Sequence, residues 1–164
     1  MKGWMAMKIK GSCHCGAVRY SVDAPEPIPY MRCYCSICRK TAGSGGFGVN
    51  IGARMETLAV EGAEHIRRYD PSSGATGSDA KEGSGRRFCG RCGSPLWNYD
   101  VRWPELVHPH AGSVDGDLPE PPERVHIMMG SAANWVEPDI RDSDKVFDAY
   151  PDESLADWHR RIKG

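Results

Sequence analysis

The sequence predicts a mainly β domain with little helix. The 164 residues include 19 glycines and 12 prolines, a share above the average for globular proteins and typical of chains with many turns. Short segments in which apolar and polar side chains alternate recur between these turns, which indicates half-buried strands. The length fits one domain, so we expect a single unit over residues 1–164 with its core at about 8–150.

Short strand segments follow one another through the first half of the chain. Lys8–Lys10 and Ala17–Val22 alternate apolar and polar residues on either side of a tight turn, so they predict a strand pair. Residues 24–29 are rich in proline and predict a link. Ser36–Thr41 predicts one helical turn with Ser36 as its N-cap. The other strand segments of this half are residues 30–33, 47–51, 58–60 and 65–69.

The second half begins with a long loop and ends with a helix. Residues 70–85 are rich in Gly, Ser and Asp and predict either a flexible lid over a site or an insertion without function. Leu155, Trp158 and Ile162 recur at helical spacing, so residues 152–163 predict a carboxy-terminal helical tail. Strand segments lie between the loop and this helix, at residues 86–88, 95–99, 105–111 and 125–129.

Charge and hydropathy exclude several classes of protein. Lys and Arg number 21 against 22 Asp and Glu, a net charge of −1, which argues against a general nucleic-acid binder. The amino-terminal segment lacks the apolar core of a secretion signal. No apolar run approaches the roughly 20 residues that a membrane helix needs. We therefore expect a cytoplasmic protein with no membrane partner.

All seven cysteines lie in three tight groups. An odd number of thiols cannot all pair as disulfides within one chain, and clustered thiols in a reducing cytoplasm are more often metal ligands or catalysts. Two cysteines close together on a turn can reach the same metal ion, and zinc prefers four such ligands in a tetrahedron. The groups are Cys13-x-Cys15, Cys33-x-Cys35-x-x-Cys38 and Cys89-x-x-Cys92.

The cysteine count suggests one closed and one open zinc site. The two two-cysteine turns together supply four ligands, which is typical of a structural site. The contiguous group of three leaves one position for water or substrate, which is typical of a catalytic zinc. Other partitions stay open, because spacing does not say which turns meet. Three alternatives also stay open: redox-active thiols or disulfides, a second structural zinc completed by a histidine, and one structural zinc with three spare thiols.

Three stretches carry a resemblance to a known family: Gly11–Tyr20, Cys33–Gly43 and Arg87–Leu96. They resemble the glutathione-dependent formaldehyde-activating enzyme family, which includes the centromere protein V-like proteins, and the resemblance extends over roughly residues 8–150. It implies a zinc-containing β-tent of antiparallel sheets. It also implies one structural zinc and one catalytic-type zinc. The implied ligands are Cys13, Cys15, Cys89 and Cys92 for the first, and Cys33, Cys35 and Cys38 for the second.

The resemblance also implies an activity, the condensation of formaldehyde with glutathione to S-hydroxymethylglutathione, classed with the carbon–sulfur lyases. The partners would then be a small thiol and an aldehyde. Arg39 and Lys40 follow the second cysteine group and are candidates for binding the carboxylates of glutathione. Tyr34 stands where the family commonly has a histidine, whereas His126 lies in an apolar run that favours a buried core position. The alternative function is a zinc-stabilised binding module without catalysis.

Overall fold

In a computed structural model, which describes residues 7–24 and 30–164, the regular structure consists of thirteen short strands, two α-helices and four 3-10 turns. The mainly β prediction is confirmed, and the proline-rich link predicted at 24–29 falls largely outside the described residues. Within the described residues neither helix has the length and apolar character needed to cross a membrane. The strands are β1 Met7–Ser12, β2 Arg19–Ala24, β3 Met31–Cys33, β4 Gly48–Asn50, β5 Ala53–Arg54, β6 Ala59–Glu61, β7 Ile66–Tyr69, β8 Thr76–Gly77, β9 Gly85–Cys89, β10 Pro95–Tyr99, β11 Leu106–Pro109, β12 Val125–Ile127 and β13 Lys145–Val146. The helices are α1 Ser36–Ala42 and α2 Leu155–Lys163.

The strands form three sheets. The first sheet, in the order β1-β2-β6, and the second, in the order β5-β11-β10-β9-β7-β8, are antiparallel. The third sheet has the order β13-β12-β3-β4, and in it β12 runs parallel to both β3 and β13. The predicted antiparallel sheets are thus present, and the third sheet combines parallel pairs with the antiparallel pair β3–β4. The long connection from β3 to β12 makes the parallel pairing possible, because parallel neighbours need a long crossover.

The main core lies between the first and second sheets. Tyr20 of β2 packs edge-on against Trp97 of β10, with ring centroids 5.2 Å apart. Each large apolar side chain buried there stabilises the fold by about 1.5–3 kcal/mol. The aliphatic side chains of this core that are buried are Ile9, Val18, Val22, Ile51, Leu58, Ile66, Leu96 and Val107.

A second, smaller core joins the carboxy-terminal helix to the third sheet. Trp158 of α2 is buried, as its position on the predicted apolar face requires, and it packs with Val125 and Ile127 of β12. The Trp158 indole Nε1 donates a hydrogen bond of 2.8 Å to Glu123 Oε1. Ser154 caps the helix by accepting from the backbone amide of residue 157. The helix therefore begins at Leu155 rather than at residue 152.

The loop predicted at residues 70–85 is fastened to the second sheet. It contains the short strand β8, which pairs with β7. Asp79 accepts hydrogen bonds from Arg68, at 2.7 Å, and from Arg87, at 2.8 Å. Arg87 is fully buried and also donates to the backbone oxygens of Glu82 and Gly83. Desolvation would raise the pKa of Asp79, but hydrogen bonds from the two guanidinium groups outweigh it and lower that pKa.

We predict that Asp79→Ala destabilises the protein by about 3 kcal/mol, because it leaves the buried Arg87 charge without its carboxylate. Urea unfolding at neutral pH measures the change. Asp117→Ala, which removes an exposed carboxylate, is the matched control and should change stability by less than about 0.5 kcal/mol. Equal midpoints for the two variants would contradict the anchoring role of Asp79.

Candidate metal centres

The turn between β1 and β2 meets the turn between β9 and β10, and their four thiols form one cluster. The Sγ atoms of Cys13, Cys15, Cys89 and Cys92 all lie within 4.8 Å of one another. The Cys13–Cys15 and Cys15–Cys89 pairs are 3.6 Å and 3.9 Å apart. A tetrahedral zinc with sulfur at about 2.3 Å separates its ligands by roughly 3.8 Å, so this donor set fits a zinc ion.

Each of these turns relies on a glycine after its last cysteine. Gly16 and Gly93 have φ angles of +76° and +78°, a left-handed conformation that side chains other than glycine rarely adopt. In the first turn this conformation brings the Val18 amide to 3.2 Å from Cys13 Sγ, to which it donates. Amide donors of this kind stabilise negative charge on sulfur and orient metal-binding thiolates.

Ser94 ties the two turns together, a role that its sequence position did not reveal. Its hydroxyl accepts from the His14 amide at 3.0 Å and lies 3.2 Å from Cys92 Sγ. Its hydrogen bond is the main reason why the pKa of Cys92 falls to about 5. Cys92 is therefore disposed to ionise, as a metal ligand must.

The second cluster sits where β3 leads into α1. The Sγ atoms of Cys33, Cys35 and Cys38 lie within 4.8 Å of one another, and Cys33 and Cys38 are buried. Hydrogen bonds from Cys33 and Cys38 lower the pKa of Cys35 to about 2, whereas the same contacts raise the pKa of Cys33. The three thiols could thus hold a metal through a cluster in which one sulfur ionises with ease.

Cys35 also begins the helix. Its Sγ accepts a hydrogen bond of 3.3 Å from the Cys38 amide, so Cys35 is the N-cap of α1. The prediction of Ser36 as the N-cap was wrong by one residue, because sulfur is not among the usual capping groups and the sequence favoured the hydroxyl.

Two polar side chains approach the second cluster from other strands. Arg86 Nη2, on β9, lies 3.4 Å from Cys38 Sγ, and Asn50 Nδ2, at the end of β4, lies 3.9 Å from the same sulfur. Sequence reasoning missed both residues. The pair Arg86-Arg87 was visible before the third cysteine group, but the strand register decides which of the two faces the thiols.

Tyr34, between the first two ligands of this cluster, belongs to a buried network. Its hydroxyl lies 2.8 Å from His126 Nδ1, and His126 Nε2 lies 3.0 Å from Asp144 Oδ2. Burial raises the pKa of Tyr34 and lowers that of His126, so the phenol donates to a neutral imidazole, which donates to Asp144. Burial would raise the pKa of Asp144, yet hydrogen bonds led by that from Arg124 hold it well below its usual range. His126 is thus a buried, satisfied histidine, as its apolar run predicts.

A groove with a volume of about 390 Å³ opens beside the second cluster, within the range of about 300–1,000 Å³ typical of small-ligand sites. It brings together α1, the 70–85 loop and the turn of the first cluster. Within the described chain the predicted Arg39 and Lys40 are not among its lining residues; Arg39 is half-buried and Lys40 exposed. The lining residues are Thr41, Tyr69, Thr76, Arg86, Arg87, Phe88, Gly93 and Pro95.

Comparisons with known proteins find relatives over most of the chain. A sequence profile for the family described as "Glutathione-dependent formaldehyde-activating enzyme" matches residues 8–131, which include all three cysteine groups. A Halomonas elongata protein named "Putative glutathione-dependent formaldehyde-activating enzyme" is 53% identical over 156 residues, 95% of this chain and 97% of that protein. The crystal structure of a Rhodobacter sphaeroides protein is similar, with a TM-score of 0.50 and 28% identity, over 67% of this chain and 91% of that one.

We predict that Tyr34→Phe lowers stability by about 1–3 kcal/mol, because it leaves the buried Nδ1 of His126 without a hydrogen-bond donor. Tyr150→Phe is the control, since Tyr150 is 72% exposed and its hydroxyl has access to water. Urea unfolding of both variants at the same metal content makes the comparison. If Tyr34→Phe and Tyr150→Phe unfold at the same urea midpoint, the hydrogen bond between Tyr34 and His126 does not stabilise the fold.

Proposed function

Because the chain belongs to the glutathione-dependent formaldehyde-activating enzyme family, we propose that it joins glutathione to formaldehyde to give S-hydroxymethylglutathione. This is a carbon–sulfur lyase reaction in the direction of bond formation. The observation that carries the proposal is the position of Arg86. It contacts one sulfur of the three-thiol cluster and also lines the adjoining groove. A cytoplasmic location, where glutathione keeps thiols reduced, is part of the proposal.

We assign a structural zinc to the four-thiol cluster. Its sulfur spacing fits tetrahedral coordination, and all four positions are supplied by the chain. The ligands come from turns at strand ends in two sheets, so their joint coordination would fix the first sheet to the second. Metal binding of this kind contributes folding free energy directly.

We assign a second zinc to Cys33, Cys35 and Cys38. A zinc ion held there would leave one position for the thiol of the substrate and would favour its ionised form. The chain supplies the surroundings of that thiol. The buried Cys33 and Cys38 keep water from one side, the Tyr34 network holds the loop between the ligands, and Arg86 places a positive charge beside Cys38.

We propose that the groove binds the rest of the glutathione molecule. Its lining is largely apolar and includes Thr41, Tyr69 and Thr76, so it suits the aliphatic parts of a small peptide. The 70–85 loop contributes Thr76, which favours a role in binding over an idle insertion. Arg39 and Lys40, at the end of the helix that carries Thr41, remain the proposed partners of a carboxylate.

Exchange spectroscopy tests the proposal. Formaldehyde labelled with ¹³C and mixed with glutathione gives separate NMR signals for the free aldehyde and the adduct, and their exchange rate can be measured directly. We expect the zinc-loaded protein at micromolar concentration to accelerate this exchange above the spontaneous rate. An unchanged rate with fully loaded protein would overturn the proposed function in favour of a binding module without catalysis.

A pair of cysteine variants separates the two metal roles. Cys35→Ser should leave the protein folded, with one zinc fewer per chain and no acceleration of the exchange. Cys92→Ser should lower the unfolding temperature or prevent folding, because it removes a ligand from the structural site. Zinc content by mass spectrometry and thermal unfolding by circular dichroism provide the measurements. The assignment of roles would be reversed if Cys35→Ser unfolded and Cys92→Ser kept its activity.

A further inference from the structure

Arg86 places a cation with unused hydrogen-bonding capacity beside the second cluster. Its Nη2 donates toward Cys38 Sγ at 3.4 Å. Its Nε and Nη1 atoms are shielded from solvent and have no hydrogen-bond partner among the described residues. Shielded guanidinium nitrogens are normally paired, because removing a charged donor from water without a partner is unfavourable. Two such donors on one side chain point to an anionic or strongly polar ligand.

Two amide side chains accompany Arg86 in this region. Asn98 lies directly opposite Arg86 in the β9–β10 pair, and its Nδ2 donates to Asn50 Oδ1 at 3.3 Å. Asn50 in turn directs its Nδ2 toward Cys38 Sγ at 3.9 Å. Within the described part of the chain, Asn98 Oδ1 is shielded and without a partner. The two amides thus link β10, the neighbour of the strand that carries Arg86, to the sulfur that Arg86 contacts.

His110 closes the same region without competing with Arg86 for an anion. It is 3% exposed and lies opposite Asn50 in an isolated β-bridge. Neither of its ring nitrogens has a hydrogen-bond partner among the residues described. Burial, followed by the nearby charge of Arg86, lowers its pKa to about 3, so the ring is neutral. His110 therefore adds no positive charge beside Arg86.

The position of Arg86 indicates which atom it meets. A substrate thiol that joined Cys33, Cys35 and Cys38 on a metal would lie next to Cys38, whose sulfur is 3.4 Å from Arg86 Nη2. The aldehyde oxygen is two bonds from the substrate sulfur once the carbon–sulfur bond forms, whereas both carboxylates of glutathione lie much farther along the molecule. The unpaired Nε and Nη1 are therefore better placed for the aldehyde oxygen than for a carboxylate.

We propose that Arg86 is a catalytic residue that binds the aldehyde oxygen and stabilises the negative charge that develops on it. This inference rests on the proposed function and adds to it the group that activates the aldehyde. As the sulfur–carbon bond forms, the π electron pair of the carbonyl moves to the oxygen, which then takes up the proton that the thiol released. No oxidant or reductant is needed. Arg86 keeps its own protons throughout and acts through charge and hydrogen bonding.

Three arginine variants test this role in the exchange assay. Arg86→Gln should lower kcat by about 100-fold, the usual effect of removing one oxyanion donor. Arg86→Lys, which keeps the charge but not the paired donors, should fall between Arg86→Gln and the wild type. Arg54→Gln is the control, because Arg54 is an exposed arginine on β5. Calorimetry without formaldehyde should give glutathione dissociation constants within about threefold of one another for all the proteins.

The remaining outcomes overturn the inference. An unchanged kcat in Arg86→Gln excludes a catalytic role, and weaker glutathione binding at unchanged kcat assigns Arg86 to a carboxylate instead. Loss of zinc or of folding in both Arg86 variants makes it a structural residue. A wild-type protein that fails to accelerate the exchange overturns the proposed function itself, whereas an active wild type with an equally active Arg86→Gln variant overturns only the role of Arg86.

Discussion

The meeting of two distant turns is the constraint on which the rest of the structure depends. Cys15 and Cys89 are 74 residues apart, yet their sulfurs approach to 3.9 Å. The strands on either side have at most six residues, so each sheet alone offers a small apolar face. Closing a segment of this length costs conformational entropy, and the buried core that it creates offsets that cost. The four-thiol cluster lies at the closure point, where a bound metal would contribute directly to folding.

This closure also fixes the geometry of the second cluster. Strand β9 carries both Arg86 and Cys89, three residues apart. Because the turn fixes Cys89 in the first cluster, it also fixes the position of Arg86 relative to Cys38. On the other face of the strand, Arg87 anchors the 70–85 loop through Asp79. One strand thus joins the four-thiol cluster, the three-thiol cluster and the loop that borders the groove.

The features that could be predicted from the sequence are those encoded by local spacing. The three cysteine groups and the strand Pro95–Tyr99 were found at their observed positions, because turn spacing and side-chain alternation are local signals. The parallel pairing of β3 with β12 could not be predicted, since it joins segments far apart in the chain. The same is true of the choice of Arg86 rather than Arg87 as the residue near the thiols. Cys35 rather than Ser36 caps α1 because its backbone is extended and its Sγ accepts from the Cys38 amide, which spacing alone does not reveal.

The N-cap of α1 couples the state of the second cluster to one backbone amide, that of Cys38. Seven residues are too few for a helix that is stable by itself, and the first turn of α1 depends on the bond between the Cys38 amide and Cys35 Sγ. The charge on that sulfur and the strength of the cap are therefore coupled. A change at the sulfur, whether by ligation or by protonation, alters the polarisation of one amide proton. The Cys38 resonance is thus a built-in probe of the state of the cluster, visible without any label on the ligand.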